Sequence, residues 1–110
     1  MGLNLSTNVL YDYIQHQQGI QGGINVIQSS QGNKSLSNSD NKRMKSNGGP
    51  LDASGFVSKQ GERLSNSYDA YGNKIKQKPW AEYLRQKCAA EGVDYDSVVA
   101  QIALESRGDE

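Results

Sequence analysis

The side chains best suited to acid–base or nucleophilic catalysis occur singly in this chain. His16 is the only histidine and Cys88 is the only cysteine. Catalysis by such groups requires partners held within hydrogen-bond reach, and no serine lies in a nucleophile-elbow sequence. His16 lies in a glutamine-rich run without a second metal ligand, and Cys88 lies on the apolar face of a predicted helix, where a thiol behaves as a small hydrophobe. The sequence therefore predicts neither a catalytic site nor a cofactor.

Two further patterns resemble ligand sites but have structural explanations. Asp94 and Asp96 are closely spaced carboxylates, yet no further oxygen ligands follow at the spacing of a calcium loop, and helix capping explains Asp94. The glycine pairs at 22–23 and 48–49 lack the Lys and the Ser or Thr of a phosphate-binding loop. We therefore expect a protein that is not an enzyme and that holds no metal.

The C-terminal segment, residues 78–110, carries the strongest helix signals and is predicted to form an αα-hairpin. Pro79 suits the first helical position, and Gly92 suits the left-handed conformation that ends a helix. Asp94 is a good N-cap for a second helix, and Gly108 is a stop signal after it. Each predicted helix has an apolar stripe at three- and four-residue spacing. The stripes are Trp80, Tyr83, Leu84 and Cys88, and Val98, Val99, Ile102 and Ala103.

The composition is lean for a globular chain of 110 residues. Hydrophobic residues make up 35% of it, charged residues 22%, and the mean hydropathy is −0.77. A chain this polar, with 12 glycines, buries too little apolar surface to offset its conformational entropy along its whole length. We expect a single, mainly α domain with large irregular content, in which long polar segments are ordered by a partner.

Residues 1–27 are predicted to contain a short helix and a segment rich in Gly and Gln. The apolar face of this helix is formed by Val9, Leu10, Tyr13 and Ile14. The glycines at 19, 22 and 23 each lower helix propensity. Either the helix ends near Gln18 and an irregular stretch follows, or one long helix packs its glycines against a neighbour. The first alternative requires no partner and is preferred for the isolated chain.

Residues 28–50 are low in complexity and show neither a helix nor a strand period, which predicts an extended polar linker or arm. A small basic cluster lies within it, formed by Lys42, Arg43 and Lys45. Such clusters can neutralise phosphates, but no aromatic residues are interleaved here to stack on bases. Contact with nucleic acid is therefore an alternative rather than the preferred function.

Residues 51–77 begin with a semi-apolar island at Phe56, which is predicted to dock on the helical core or on a partner. The motif YDAYGN at residues 68–73 resembles one YD repeat of RHS-type shell proteins, which close their sheet with many copies. Asp69 can brace a turn and Gly72 can take a positive φ. The segment is thus compatible with a short β-hairpin leaning on the helices or on another chain. The residues flanking this turn would be Leu64, Tyr68, Tyr71 and Ile75.

Charge is unevenly distributed although the net charge is zero. Nine basic and four acidic residues lie between Lys34 and Lys78, whereas three basic and seven acidic residues follow from Glu82 onward. The first six residues match a short myristoylation pattern that is often met by chance, so an unmodified N-terminus is expected. No signal peptide or membrane-spanning run is recognisable. We expect a soluble protein, either intracellular or within a macromolecular particle.

Three functional hypotheses follow from these features. The preferred one is a non-enzymatic structural or assembly protein, a minor component that docks on and is ordered by a larger complex such as a virion-like particle. The alternatives are a nucleic-acid-associated protein that uses the basic middle arm and a soluble protein-binding adaptor or regulator. Tyr and Trp are favoured at interfaces. The residues predicted to contact a partner are Trp80, Tyr83, Leu84, Phe56, Tyr68, Tyr71, Leu10, Tyr13 and Ile14.

Overall fold

The structure, a computed structural model, describes residues 4–48 and 52–107. Over these residues it contains six helices and no strand, and about 80% of these residues are helical. The predicted mainly α class is therefore confirmed. In chain order the helices are α1 (Thr7–Gln18), α2 (Ile20–Ser30), α3 (Asn38–Gly48), α4 (Ala53–Lys76), α5 (Ala81–Glu91) and α6 (Tyr95–Ser106).

The chain divides into two compact units. One, the middle unit, is Leu10–Gly61, and the other, the C-terminal unit, combines Met1–Val9 with Glu62–Glu110. The boundaries fall inside α1 and inside α4. Each unit has a hydrophobic cluster of its own.

Helix α1 ends at Gln18 as expected, but the glycine-rich sequence after it is helical. Gly19 separates the two helices with a φ of 79°, and α2 then begins at Ile20. Gly23 is buried inside α2, where an added Cβ would lie 2.5 Å from the Cα of Gln15. The glycine therefore allows α1 and α2 to approach closely. Burial of Val26 and Ile27 on the same helix offsets the low helix propensity of glycine.

The polar middle is also helical, which corrects the expectation of an extended arm. Ser37 is the residue before α3, and its Oγ accepts a hydrogen bond from the backbone N–H of Asp40 at 3.1 Å, as an N-cap does. Met44 is 1% exposed and joins the core of the middle unit. One buried apolar residue and one cap thus position a helix of otherwise polar sequence, and α3 packs on α2.

Helix α4 replaces the short β-hairpin, which the structure does not support. Asp52 begins the helix, since its Oδ1 accepts a hydrogen bond from the N–H of Gly55 at 2.7 Å. Residues 68–73, compatible with a turn by local sequence, lie inside this 24-residue helix. Burial at helical spacing outweighs turn propensity here. The fully buried side chains of α4 are Phe56, Gln60, Leu64 and Ile75.

The core of the middle unit brings together residues from four helices. Phe56 and Ile14 are both fully buried in it. The cluster consists of Ile14, Val26, Ile27, Met44, Ala53 and Phe56, with Leu10, Tyr11, Leu36 and Val57 packed against it. Phe56 therefore docks within the chain itself, one of the two outcomes expected for it.

The predicted C-terminal hairpin is present as α5 and α6. Gly92 ends α5 with a φ of 70°, and Asp94 caps α6 by accepting a hydrogen bond from the N–H of Ser97 at 2.9 Å. Arg107 ends α6 with a φ of 56°, and Gly108 lies outside the described residues. The start of α5 differs from expectation, because Trp80 is its N-cap rather than part of its apolar stripe.

The apolar face of α6 is covered by the C-terminal part of α4. Ile75, Val99 and Ala103 form the buried cluster of the C-terminal unit. The partly buried residues packed against it are Tyr68, Tyr71, Tyr95 and Ile102. The apolar face of α6 is thus buried against another helix of the same chain. The sequence alone does not decide between this arrangement and burial against another molecule.

Candidate functional site

Exposed apolar side chains are concentrated on the helical hairpin. Among the described residues, the exposed large hydrophobics are Ile20 at 73%, Trp80 at 37%, Tyr83 at 67% and Val93 at 41%. Trp80 and Tyr83 are three residues apart at the start of α5, a spacing that makes side chains neighbours on a helix surface. Leu84 follows and is half-buried. We refer to Trp80, Tyr83 and Leu84 as the aromatic patch.

Several charged residues near the aromatic patch are paired within α5. The Nε of Arg85 donates a hydrogen bond to Glu82 at 3.0 Å, and the Nζ of Lys87 lies 4.0 Å from a carboxylate oxygen of Glu91. The hydrogen bonds from Arg85 and Gln86 lower the pKa of Glu82 to about 2. The carboxylate therefore stays charged and paired at neutral pH. The aromatic patch thus has an electrically balanced border.

A hydrogen-bond network connects the N-terminal segment to the start of α6. The N–H of Ser6 donates to the Oγ of Ser97 at 2.8 Å, and that hydroxyl donates in turn to the Oδ2 of Asp94 at 2.7 Å. Ser97 is fully buried. A buried hydroxyl that both accepts and donates fixes its neighbours firmly, so Asp94 does more than cap the helix.

A second network connects the end of α4 to the start of α6. The Nζ of Lys76 lies 2.7 Å from the Oδ1 of Asp96 and donates to the hydroxyl of Tyr68 at 2.7 Å. It also lies 5.7 Å from the centre of the Tyr95 ring. Desolvation lowers the pKa of Lys76, but the bonds to Asp96 and Tyr68 outweigh it and raise the pKa overall. The bond from Lys76 lowers the pKa of Asp96.

The structure separates the residues predicted to contact a partner into two groups. In the aromatic patch, Trp80 and Tyr83 are exposed and Leu84 is half-buried. The others pack within the chain: Phe56, Ile14 and Tyr13 are buried, while Leu10, Tyr68 and Tyr71 are half-buried. Contact between a partner and the three buried residues would require the core to open.

The basic residues of the middle are placed on α3, where they differ in surroundings. Lys42 and Arg43 line a solvent-open groove of about 340 Å³ together with Ser39 and Ser46. Lys45 is exposed but does not line this groove. The basic cluster therefore lies on a helix rather than on an extended arm, and only two of its three residues line the groove.

Side chains of α3 also complete the end of α1, a role that the sequence did not reveal. The Nη1 of Arg43 donates to the carbonyl oxygen of Gln18 at 3.1 Å, and the Nδ2 of Asn47 donates to the carbonyl of Gln17 at 3.3 Å. The last carbonyls of a helix lack partners within it, and these side chains supply them. No local spacing signals such a contact, because it joins two helices through their packing.

The single Cys and the single His lie on different helices, Cys88 on α5 and His16 on α1. Cys88 is buried, and desolvation raises the pKa of its thiol. His16 is exposed on α1. Within residues 4–48 and 52–107, no group of three or more His, Cys, Asp and Glu side chains could hold a metal ion. No described helix is both long enough and apolar enough to cross a membrane.

No protein-family model matches the chain, and neither a curated protein nor a solved structure shows significant similarity to it. The surface of the chain therefore carries the functional argument. Its most distinctive feature is the accessible pair Trp80 and Tyr83 on a hairpin held by two polar networks.

Proposed function

We propose that this chain is a non-enzymatic docking protein that attaches to a larger protein assembly through the aromatic patch. The observation that carries the proposal is the exposure of Tyr83, at 67%, beside Trp80, at 37%. Trp and Tyr are enriched at the energetic centres of protein interfaces. Two such residues adjacent at the start of one helix offer a large apolar contact area with little conformational freedom to lose.

The border of the aromatic patch indicates what kind of partner surface it fits. Glu82 is paired with Arg85, and Lys87 lies beside Glu91, so the patch presents little net charge to a partner. An apolar pocket bordered by uncharged polar groups complements it best. Because few charges are left to be neutralised, binding should depend only weakly on salt.

The folded middle of the chain supports docking through a preformed surface. Residues 28–50 are expected to form an arm that is ordered by a partner, but their described part includes the whole of α3 and contributes Met44 to a core. A surface already in its bound conformation loses less entropy on association. The assembly role is therefore proposed for the hairpin and not for a wrapping middle segment.

An adaptor that binds one soluble protein is the second candidate. The observation favouring it is the same exposure of Trp80, because a tryptophan buried in its own chain would have removed this option. The two candidates differ in the mass of the complex, since an adaptor forms a small complex of fixed stoichiometry and a docking component enters a large one.

Size-exclusion chromatography with light scattering, on the purified chain alone and after addition to native extract of its source cells, tests the proposal. The free chain, of 12.0 kDa, should elute as a monomer and move to a large complex in extract. The double variant Trp80→Ala/Tyr83→Ala should stay monomeric in extract. The control Ile20→Ala removes an apolar residue that is at least as exposed as Tyr83 but lies outside the patch, and this variant should still enter the complex.

Two results would contradict the proposal. In one, the double variant enters the complex as fully as the unaltered chain, which places the contact elsewhere. In the other, the purified chain alone has twice its monomer mass and the double variant abolishes this, which makes the occupant of the patch a second copy. A complex of the mass expected for one additional small protein would favour the adaptor.

A further inference from the structure

The groove on α3 is lined by polar and basic side chains. It is formed by Ser39, Lys42, Arg43 and Ser46, which recur at the spacing that places residues on one helix face. Its volume of about 340 Å³ lies at the lower end of the range of pockets that hold small molecules. The groove is thus large enough for a small ligand and is lined by polar groups.

The chemistry of the lining selects an anion. Two hydroxyls, an ammonium and a guanidinium all donate hydrogen bonds, and no carboxylate lines the groove. The acidic residue nearest to it in sequence, Asp40, accepts a hydrogen bond from the Nδ2 of Asn25 at 2.8 Å. Lys42 makes no ion pair or hydrogen bond with any residue that the structure describes, so its charge is available to a ligand.

Arg43 is oriented before any ligand arrives. Its Nη1 donates to the carbonyl of Gln18 at 3.1 Å, while its remaining N–H groups stay free to donate. Met44, the next residue, is 1% exposed and fixes the rotation of α3 about its own axis. A guanidinium held in place by one bond loses less freedom when it binds an anion with the others.

We propose that this groove binds the phosphate group of a small molecule, either free phosphate or a phosphate monoester. A tetrahedral dianion can accept several hydrogen bonds at once, and charge-assisted bonds from Lys and Arg are among the strongest in proteins. The groove does not form a track for a nucleic-acid backbone, because Lys45 lies outside it and a backbone requires cations along its length. The site is independent of the aromatic patch.

Lys42 and Lys45 provide a matched pair of variants for testing this site. Both are exposed lysines of α3, but only Lys42 lines the groove. The experiment titrates the ¹⁵N-labelled full chain with sodium phosphate, and separately with phenyl phosphate, while sodium chloride keeps the ionic strength constant. Backbone amide shifts from Ser39 to Ser46 are followed by NMR.

Saturable shifts in this segment are expected for the unaltered chain with phosphate or with phenyl phosphate, and the tighter of the two identifies the source of the phosphate group. Lys42→Ala should weaken binding about tenfold, the effect of losing one charge-assisted hydrogen bond. Lys45→Ala should leave the affinity within about twofold, because a solvated charge outside the groove acts only through screened attraction.

Three results would overturn the proposal. Equal shifts with chloride alone would reveal a response to ionic strength. Equal weakening by Lys42→Ala and Lys45→Ala would reveal a general attraction to positive charge. Binding of a single-stranded oligonucleotide that requires both lysines, with no saturable binding of either phosphate compound, would reveal a nucleic-acid surface instead.

Discussion

At the scale of single residues, the two glycines of α2 illustrate how neighbours decide the effect of a side chain. An added Cβ at Gly23 would lie 2.5 Å from the Cα of Gln15, which is backbone and cannot move aside. An added Cβ at Gly22 would meet its nearest atoms at 3.5 Å, an ordinary contact. Although both residues are glycines of the same helix, a side chain can be added at Gly22 but not at Gly23.

We predict opposite effects of alanine at these two positions. Gly22→Ala should stabilise the chain by up to about 1 kcal/mol, because alanine favours the helix. Gly23→Ala should destabilise it by about 1–3 kcal/mol, the usual effect of forcing atoms into a packed contact. Urea unfolding followed by circular dichroism measures both. Equal stabilisation by the two substitutions would mean that α1 and α2 do not approach closely at Gly23.

The Lys76–Asp96 pair predicts a specific dependence of stability on pH. Because the folded-state pKa of Asp96 lies below its ordinary value of 3.8, the carboxylate stabilises the fold above that value, and its contribution is lost as the pH falls through the lowered pKa. Because the folded-state pKa of Lys76 is raised above 10.5, the ammonium contributes fully to stability up to that pH. Its contribution is lost only as the pH rises further, through the raised pKa. The pair is therefore fully effective between these limits.

Asp96→Asn should lower the free energy of unfolding by at most about 1 kcal/mol at neutral pH, since the pair is partly exposed. The difference from the unaltered chain should shrink to nothing as the pH falls well below 3.8. Urea unfolding at a series of pH values measures this difference. A difference that stays constant from pH 7 into strong acid would show that the ion pair does not contribute.

At the scale of helices, prediction from sequence succeeded where start and stop signals are local. Gly92 and Asp94 lie next to each other in the chain, and each performs the predicted role by its own backbone conformation or side chain. The sequence does not predict α4, although Asp52 caps it, because glycines and the polar Gln60 interrupt the apolar pattern of the helix. Its periodicity becomes clear only once Gln60 is known to be buried.

The candidate site was predictable by residue type but not by exposure. The sequence predicts Trp80 and Tyr83 as contact residues, but it predicts Tyr68 and Tyr71 equally, and these two are half-buried against the cluster that includes α6. The difference depends on which face of α4 packs on which helix. That information lies in contacts between distant parts of the chain, and a single sequence does not contain it in readable form.

The cap of α6 gives a prediction at this scale. Asp94→Ala should destabilise the chain by about 1 kcal/mol or more, because it removes the acceptor for the N–H of Ser97 and leaves the buried hydroxyl of Ser97 without the acceptor it now uses. Asp94→Asn retains a side-chain oxygen and is the control, with a smaller loss expected. Thermal unfolding of the three proteins measures the loss of stability in each variant. Equal losses in Asp94→Ala and Asp94→Asn would contradict the capping role of Asp94.

At the scale of the whole molecule, the hydrophobic clusters of the described residues indicate that helical order is a property of the chain itself. Lean composition had predicted long segments ordered only by a partner. Several of the apolar residues are fully buried in these clusters, with Phe56 and Ile14 in one and Val99 in the other. A low average hydrophobicity therefore does not exclude a core when the spacing is right.

The purified chain alone should show a strongly helical circular dichroism spectrum and a cooperative thermal transition. The number of helical residues should be close to the total of the six helices in the structure. Phe56→Ala should lower its stability by about 3–5 kcal/mol, as large-to-small changes in a core do. Val57→Ala, at the half-buried neighbouring position, should cost clearly less. A helix content that corresponds to the hairpin alone would contradict this account and would agree with an extended middle segment.

The central claim is that the aromatic patch is the surface at which this chain docks on another protein. A photo-crosslinking amino acid, p-benzoylphenylalanine, placed at Tyr83 and separately at Ile20, tests it most directly in the source cells, because both positions are exposed and only the first belongs to the patch. We predict a crosslinked product of one defined mass, containing a different polypeptide, from position 83 and none from position 20. The same products from both positions, or none from position 83, would contradict the claim.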